Sequence, residues 1–322
     1  DGLYSRNRNG ALAGSWEKTI PVIPRKRFRP LAWLTAIKPA HIFILALLVR
    51  VVYTLVAPHM DPFLQRDPLL GDAGSYDRII RSLLAGSGYR QLDLVGPHFP
   101  QPDVFWPPLY PLMMAGVYRL LGSVSGLGYN LLVGRLFHAL LGAIVPVGVY
   151  FIGRAVFDKR SIAPVAVASL AGLGSAFYPY LIYFGAWLIA DGPYMALLTL
   201  TLLTAVALQK SFGLGHKLSG ISDLGRPQRI APTDQHSPIC HVILAAIFGV
   251  LLGLDILMKP TTLMLLPPLL FWFLFALDKC RWVTRLALGF LTLVVMLSVI
   301  APWTLRNYKV TGDWILVSGN GG

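Results

Sequence analysis

The chain has 322 residues, of which 55% are hydrophobic and only 13% charged, with a formal net charge of +13 at neutral pH. Soluble domains carry roughly 45–50% apolar and 25% charged residues, so this composition excludes an ordinary soluble enzyme. The Lys and Arg residues are spread along the chain rather than gathered on one soluble face with aromatic partners, which argues against nucleic acid as a partner.

The first 38 residues form a basic arm. Arg25, Lys26, Arg27, Arg29 and Lys38 lie just ahead of the first long apolar block, Pro39–Ala57. About 20 apolar residues cross a bilayer, and Lys and Arg stay on the cytoplasmic side, so this arm is expected in the cytoplasm. The first span holds Arg50 and has no small-x-small site after it, which makes it an anchor rather than a cleaved signal peptide. Arg50 requires a polar partner or a route to water, and Asp255 in a later span is a candidate.

The segment from Pro58 to Asn130 is different in kind. It holds six of the 15 acidic residues (Asp61, Asp67, Asp72, Asp77, Asp93 and Asp103), whereas the only Glu, Glu17, lies in the basic arm. Two short amphipathic helices are predicted here. The first shows Tyr76, Ile79, Ile80, Leu83 and Leu84 on one face and ends at Gly86 or Gly88. The second shows Leu109, Leu112, Met113, Gly116, Val117, Leu120 and Leu121, and is opened by Pro107 and Pro108. Short helices with one apolar stripe beside a span lie at the membrane interface. Taking Leu109–Leu121 as a further span would move ten downstream basic residues to the outside, and its 13 residues are too few to cross.

Further spans are expected at Leu131–Gly153, Ser161–Tyr180, Gly192–Leu208, His241–Met258, Thr261–Leu277 and Leu286–Trp303, about seven in all. The stretch Ser161–Leu208 carries a single charge, Asp191. Residues 209–240, rich in Gly, Ser, Pro and His, read as a flexible cytoplasmic linker. Cys240 and Cys280 fall at cytoplasmic membrane edges, where thiols stay reduced. Two cysteines and scattered histidines give no clear metal site, so the involvement of a divalent cation is left open. The chain lacks an initiator Met and stops shortly after a span, so a C-terminal part is expected to be missing. The expected class is an all-α polytopic membrane protein, a module of residues 39–322 behind the arm 1–38.

Several motifs recur in a telling order. After the basic arm and first span come GDAGSYDRIIRSLLAGSGY, then FWPPLYPLMMAGVYRLLG, then RLFHALLGAIVPVGVYFIGRAVFDKR. IADGPYM opens the fourth span, LLGLDILMKPTTLMLLPP surrounds Lys259, and APWTLRNY closes the seventh. In order, spacing and sidedness these resemble the GT-C glycosyltransferases, and among them the protein O-mannosyltransferases and the lipid A aminoarabinose transferases. The resemblance spans roughly residues 39–322.

The resemblance implies an inverting, multi-pass membrane glycosyltransferase, in a bacterial inner membrane, with its site on the periplasmic or extracellular side. The implied donor is a polyprenyl-phosphate-linked sugar, and the acceptor a hydroxyl of a lipid, glycan or protein. Such a reaction needs a base for the acceptor hydroxyl and cations near the departing phosphate. Asp72 stands at the family's catalytic acidic position, four residues before Tyr76; the other reading of Asp72 is a helix N-cap. A second acid that follows directly in several relatives is Ala73 here. Asp191 matches a second acidic position and could equally cap the fourth span. Lys259 and Arg306 are candidates for donor phosphate, against interfacial snorkelling for either and a pairing of Lys259 with Asp255 one turn earlier. A phosphate-binding Lys of the family is absent before the second short helix, where Trp106 and Pro107 stand. Tyr110, with Tyr89 and Trp106, could stack on a sugar or serve as an interface aromatic. A reading from another class is a transporter or flippase for a lipid-linked or small substrate, which would account for Arg50 and Asp255 within spans.

Overall fold

The computed structural model describes residues 32–61, 64, 67, 69–91, 102–121, 127–157, 164–219, 238–275 and 281–319. Among these the protein is helical, save for one isolated bridge between Arg90 and Pro102. In chain order the helices are α1 (Pro39–Met60), α2 (Asp72–Leu84), α3 (Leu109–Leu121), α4 (Leu127–Val156), α5 (Pro164–Ala176), α6 (Pro179–Ala186), α7 (Asp191–Ser219), α8 (Pro238–Met258), α9 (Leu266–Phe275) and α10 (Trp282–Thr311). Two 3-10 turns, Ala32–Ala36 and Pro260–Leu265, precede α1 and α9.

Five helices, α1, α4, α7, α8 and α10, are long and apolar enough to cross a membrane. The reason is visible in α1, which is apolar nearly all round. Ile42, Ala46, Arg50, Thr54 and Ala57 form its buried stripe, and Ile44, Leu48, Val52 and Leu55 are exposed on the other side. A helix with apolar residues on both faces has one face for protein and one for lipid. The protein is therefore built as a membrane-embedded helical bundle.

Two expected spans take a more broken form. Ser161–Tyr180 becomes α5 followed by α6, bent by 42°. Pro179 lacks an amide hydrogen and disfavours the helical conformation in the residue before it, so the helix stops at Tyr178 and restarts. The pair counts as a sixth apolar segment if taken as one. Thr261–Leu277 becomes the 3-10 turn Pro260–Leu265 and the ten-residue α9; residues 276 and 277 lie outside the described ones. The linker read at 209–240 is shorter in the structure, because α7 continues as helix to Ser219 and α8 starts at Pro238. Residues 220–237, and residues 1–31 of the basic arm, lie outside the described residues.

Neighbours in the bundle follow chain order. α1 packs on α4, α5 and α6, α4 also on α7, α7 on α8, and α8 on α10. This order separates Arg50 on α1 from Asp255 on α8, so the pairing considered for them is not formed. Arg50 Nη1 instead donates to the carbonyls of Ala46 and Ala176, each at 3.2 Å. Asp255 is fully buried and accepts from the Thr201 hydroxyl of α7 at 2.5 Å.

Candidate functional site

The two short helices, α2 and α3, pack against each other and against the ends of longer ones, at Leu131 of α4 and Met258 of α8. Tyr76, Ile79 and Ile80 of α2 and Tyr110, Met114 and Tyr118 of α3 share one buried cluster with Leu131, Leu188, Ala190 and Met258. Both helices start where the sequence motifs place them. Gly71, at φ +66°, is the residue before the first turn of α2, and no side chain caps that turn. Asp72 is thus the first helical residue, not the cap, and its carboxylate is exposed without a hydrogen bond among the described residues. For α3, the Pro108 carbonyl accepts from Leu112 N at 3.1 Å, and Pro111 falls in the first turn, where its missing N–H is no loss.

The aromatic residues of these motifs are packed inward. Tyr76 is 5% exposed and meets Trp106 and Tyr110 with ring centroids at 4.9 and 4.7 Å. Tyr110 is fully buried, and its hydroxyl lies 3.2 Å from His138 Nε2 of α4. The opposite ring nitrogen of His138 faces the backbone at Gly185 and Trp187 without completing a hydrogen bond of normal geometry. Tyr89 and Trp106 are buried as well, and the Tyr89 hydroxyl donates toward the carbonyls of Trp106 and Pro107. Packing, not an open stacking face, is therefore what Tyr89, Trp106 and Tyr110 provide.

Asp103 ties together the two described segments between α2 and α3, 85–91 and 102–108, which are bridged at Arg90 and Pro102 and called the strap below. Its Oδ1 accepts from the amides of Phe105 and Trp106 at 2.9 and 3.0 Å. Its Oδ2 accepts from Gln91 Nε2 at 2.8 Å, and Gln91 Oε1 accepts in turn from Arg78 on α2. Arg306, near the end of α10, clamps the same strap. Its Nη1 donates to the Asp103 carbonyl at 2.5 Å and its Nη2 to the Tyr89 carbonyl at 3.2 Å. The guanidinium also lies over the rings of Trp303 and Tyr89, at 4.7 and 5.4 Å. The expected phosphate ligand is thus engaged by backbone carbonyls.

Lys259 and Asp191 meet directly, with Lys259 Nζ 2.5 Å from Asp191 Oδ1. Asp191 is the first residue of α7, and Lys259 immediately follows α8. Because Pro260 comes next, Lys259 is held extended at φ −149°, ψ 104°, and its side chain leaves the face that carries Asp255. Its ammonium also lies 5.8 Å from the Tyr194 ring centroid, and Tyr194 Oη accepts from Thr262 at 3.1 Å. Asp72 and Asp191 come from different helices, yet both charges act on one phenol: burial pushes Tyr76 up, and Asp72 and then Asp191 push it further.

A cavity of about 150 Å³ opens beside this assembly, lined by Asp191, Gly192, Gly185, Phe184, Tyr180 and, deeper among the helices, Arg50. Asp72, Lys259 and Arg306 are not in its wall. Sequence reasoning missed His138 and gave Asp103 no role. His138 lay in a quoted motif, and its position one turn below Gly134 on α4 was the available signal. Among the described residues no three His, Cys, Asp or Glu side chains converge as metal ligands. Comparison of the chain with protein-family models, with curated proteins and with solved structures finds no match.

Proposed function

We propose that the protein is a membrane glycosyltransferase that moves a sugar from a polyprenyl-phosphate donor to an acceptor hydroxyl on the non-cytoplasmic face. The observation that carries this reading is the Lys259–Asp191 pair, set beside the buried cluster that Tyr76 of α2 shares with Ala190 and Met258. A carboxylate and a cation from two segments meet beside the short helices, with Asp72 exposed at the start of α2, where a lipid tail would hold a donor's phosphate. The fold reading that goes with it is GT-C-like, with seven spans. The bent pair α5–α6 is the third of these. The 3-10 turn at about 2 Å per residue and α9 at about 1.5 Å per residue reach roughly 27 Å, close to the ~30 Å apolar thickness, which supports the sixth. With the basic arm in the cytoplasm, Asp72, Asp191, Lys259 and Arg306 all stand at the outer face of what would be a bacterial inner membrane.

In this mechanism the acceptor hydroxyl attacks the anomeric carbon with inversion as the bond to the phosphate oxygen breaks. The proton goes to Asp72, and the electron pair leaves with the polyprenyl phosphate. Lys259 offsets the developing charge, with Asp191 holding it in place, and Tyr76 supports the Asp72 end. Arg306 keeps the strap closed over α2.

The test is transfer from a panel of labelled polyprenyl-phosphate sugars by membranes containing the protein. Asp72→Asn should lower turnover by about 10²-fold or more, the scale of general-base catalysis, with folding unchanged. Because Asp72 caps nothing, Asp72→Ala should match Asp72→Asn in stability within about 1 kcal/mol. Near-normal turnover in both would remove Asp72 from the chemistry. The second reading, a transporter or flippase for a lipid-linked or small substrate, draws on the cavity that runs inward to Arg50. Substrate flux in vesicles without sugar transfer would favour it.

A further inference from the structure

Arg50 is 2% exposed in the middle of α1. Its Nη1 spends both hydrogens, on the Ala46 carbonyl of its own helix and on the Ala176 carbonyl at the end of α5. That second bond is well placed, because the last carbonyls of a helix lack partners and carry partial negative charge. Nε and Nη2, however, are buried and have no hydrogen-bond partner among the described residues. A guanidinium has five N–H donors, so three remain, and they lie on the Nε–Nη2 edge. This edge presents two parallel N–H groups and suits the side-on binding of a phosphate or carboxylate.

The charge is unmatched as well as the donors. No carboxylate lies within ion-pair distance of Arg50 among the described residues. Asp191 shares the cavity wall, but its charge is met by Lys259. An unpaired cation buried among apolar helices is costly, and such a group marks a binding pathway by default.

The surroundings offer that edge no polar partner among the described residues. Gly142 of α4 lies against it: a Cβ there would sit 2.9 Å from Arg50 Nε and 3.1 Å from its Cδ. Arg50 and Gly142 line the same cavity of about 150 Å³, several times the ~30 Å³ share of one water. Tyr178 and Tyr180 line it too, at the break between α5 and α6, and both are more than half exposed. Exposed Phe177 lies at the break, and Leu181 and Phe184 line the cavity beside it, so the mouth is apolar and aromatic while Arg50 is cationic.

We propose that the Nε–Nη2 edge of Arg50 binds the phosphate monoester of a lipid whose tail leaves through the break between α5 and α6. The apolar, aromatic mouth selects the lipid-borne phosphate over free phosphate. The proposal rests on the bundle lying in a membrane and not on the transferase reading: Asp191 lies in the cavity wall, but the Arg50 edge has no part in the transfer step.

The test is equilibrium binding of labelled farnesyl phosphate to the protein in nanodiscs. Saturable binding is expected, displaced by unlabelled farnesyl phosphate and not by a large excess of farnesol or of inorganic phosphate. Gly142→Ala puts a methyl group 2.9 Å from Nε, which keeps Arg50 in the sequence but displaces its edge, and should weaken binding about tenfold or more, as loss of a charge-assisted hydrogen bond would. Arg50→Lys keeps the charge without the fork and should also weaken it; gel filtration shows whether each variant folds. The proposal is overturned if farnesyl phosphate does not bind, if farnesol or inorganic phosphate competes equally, or if folded Gly142→Ala binds as wild type. Binding is measured without turnover, so its failure leaves the transferase reading as it stands, and an inactive Asp72→Asn leaves this result as it stands.

Discussion

Lys259 donates to Asp191 across 2.5 Å, joining the residue that follows α8 to the first residue of α7. The two side chains are 34% and 42% exposed, so solvent screens the pair. Exposed ion pairs contribute about 0–1 kcal/mol. Asp191→Asn and Lys259→Met should therefore change thermal stability little, while each lowers sugar transfer at least about tenfold through the loss of charge at the leaving phosphate. A large drop in melting temperature with transfer intact would show the pair to be a brace.

Arg306 should behave in the opposite way. Its two bonds to the Asp103 and Tyr89 carbonyls use the planar fork, which a lysine cannot reproduce. Arg306→Lys is expected to destabilise the protein by about 1–3 kcal/mol in chemical or thermal unfolding, the range for hydrogen bonds to a charged group. The KM for donor should stay near its original value. A large rise in KM without loss of stability would return Arg306 to the role of phosphate ligand.

Asp77 gives the layer of short helices a pH dependence. Burial raises its carboxyl above the usual range, and the Arg81 pair at 2.5 Å only partly opposes this. The folded form then binds a proton more readily than the unfolded chain does. Stability is greatest below the ordinary carboxylate range and falls as pH rises through the raised value. Asp77→Asn should flatten the fall of melting temperature as pH rises above the ordinary carboxylate range. An unchanged slope would mean that another group carries it.

The membrane orientation can be checked on three cysteines. Leu70 and Trp314 are 50% and 70% exposed, and the native Cys240 is exposed. Leu70→Cys and Trp314→Cys, made with Cys240 and Cys280 replaced, should react with an impermeant maleimide in intact cells. Cys240, kept alone, should react only after permeabilisation. Labelling of positions 70 and 240 from the same side would invert the topology and move the site with it.

Much of the fold was legible. Pattern and punctuation marked the long spans and both short helices: α3 runs from Leu109 to Leu121 as its stripe and leading prolines indicate. The misses have local causes. The break at Tyr178 was hidden by uniform hydropathy, although Pro179 signalled it. The pairing of Lys259 with Asp255 followed from helical spacing, and failed because Pro260 ends the regular helix before Lys259. Asp72 has the chemistry of a cap, but Gly71 at positive φ takes that place. The Arg50 environment could not be read from one span, since its partners are carbonyls of α1 and α5, and carbonyls have no signature in sequence.

Gly249 and Gly253 on α8 bring that helix close to α10: a Cβ on the first would meet the Thr292 carbonyl at 2.6 Å, and one on the second the Val299 side chain at 2.8 Å. Helices in backbone contact along such a seam slide or part only by breaking it. Lys259 and Arg306, carried at the same end of this pair, accordingly travel as one unit. If the proposed function holds, room for a lipid-linked donor would come from elsewhere, the α2–α3 layer and the bent α5–α6 pair being the parts outside this seam. The α8–α10 pair is in effect a fixed post, and any rearrangement falls to the parts packed around it.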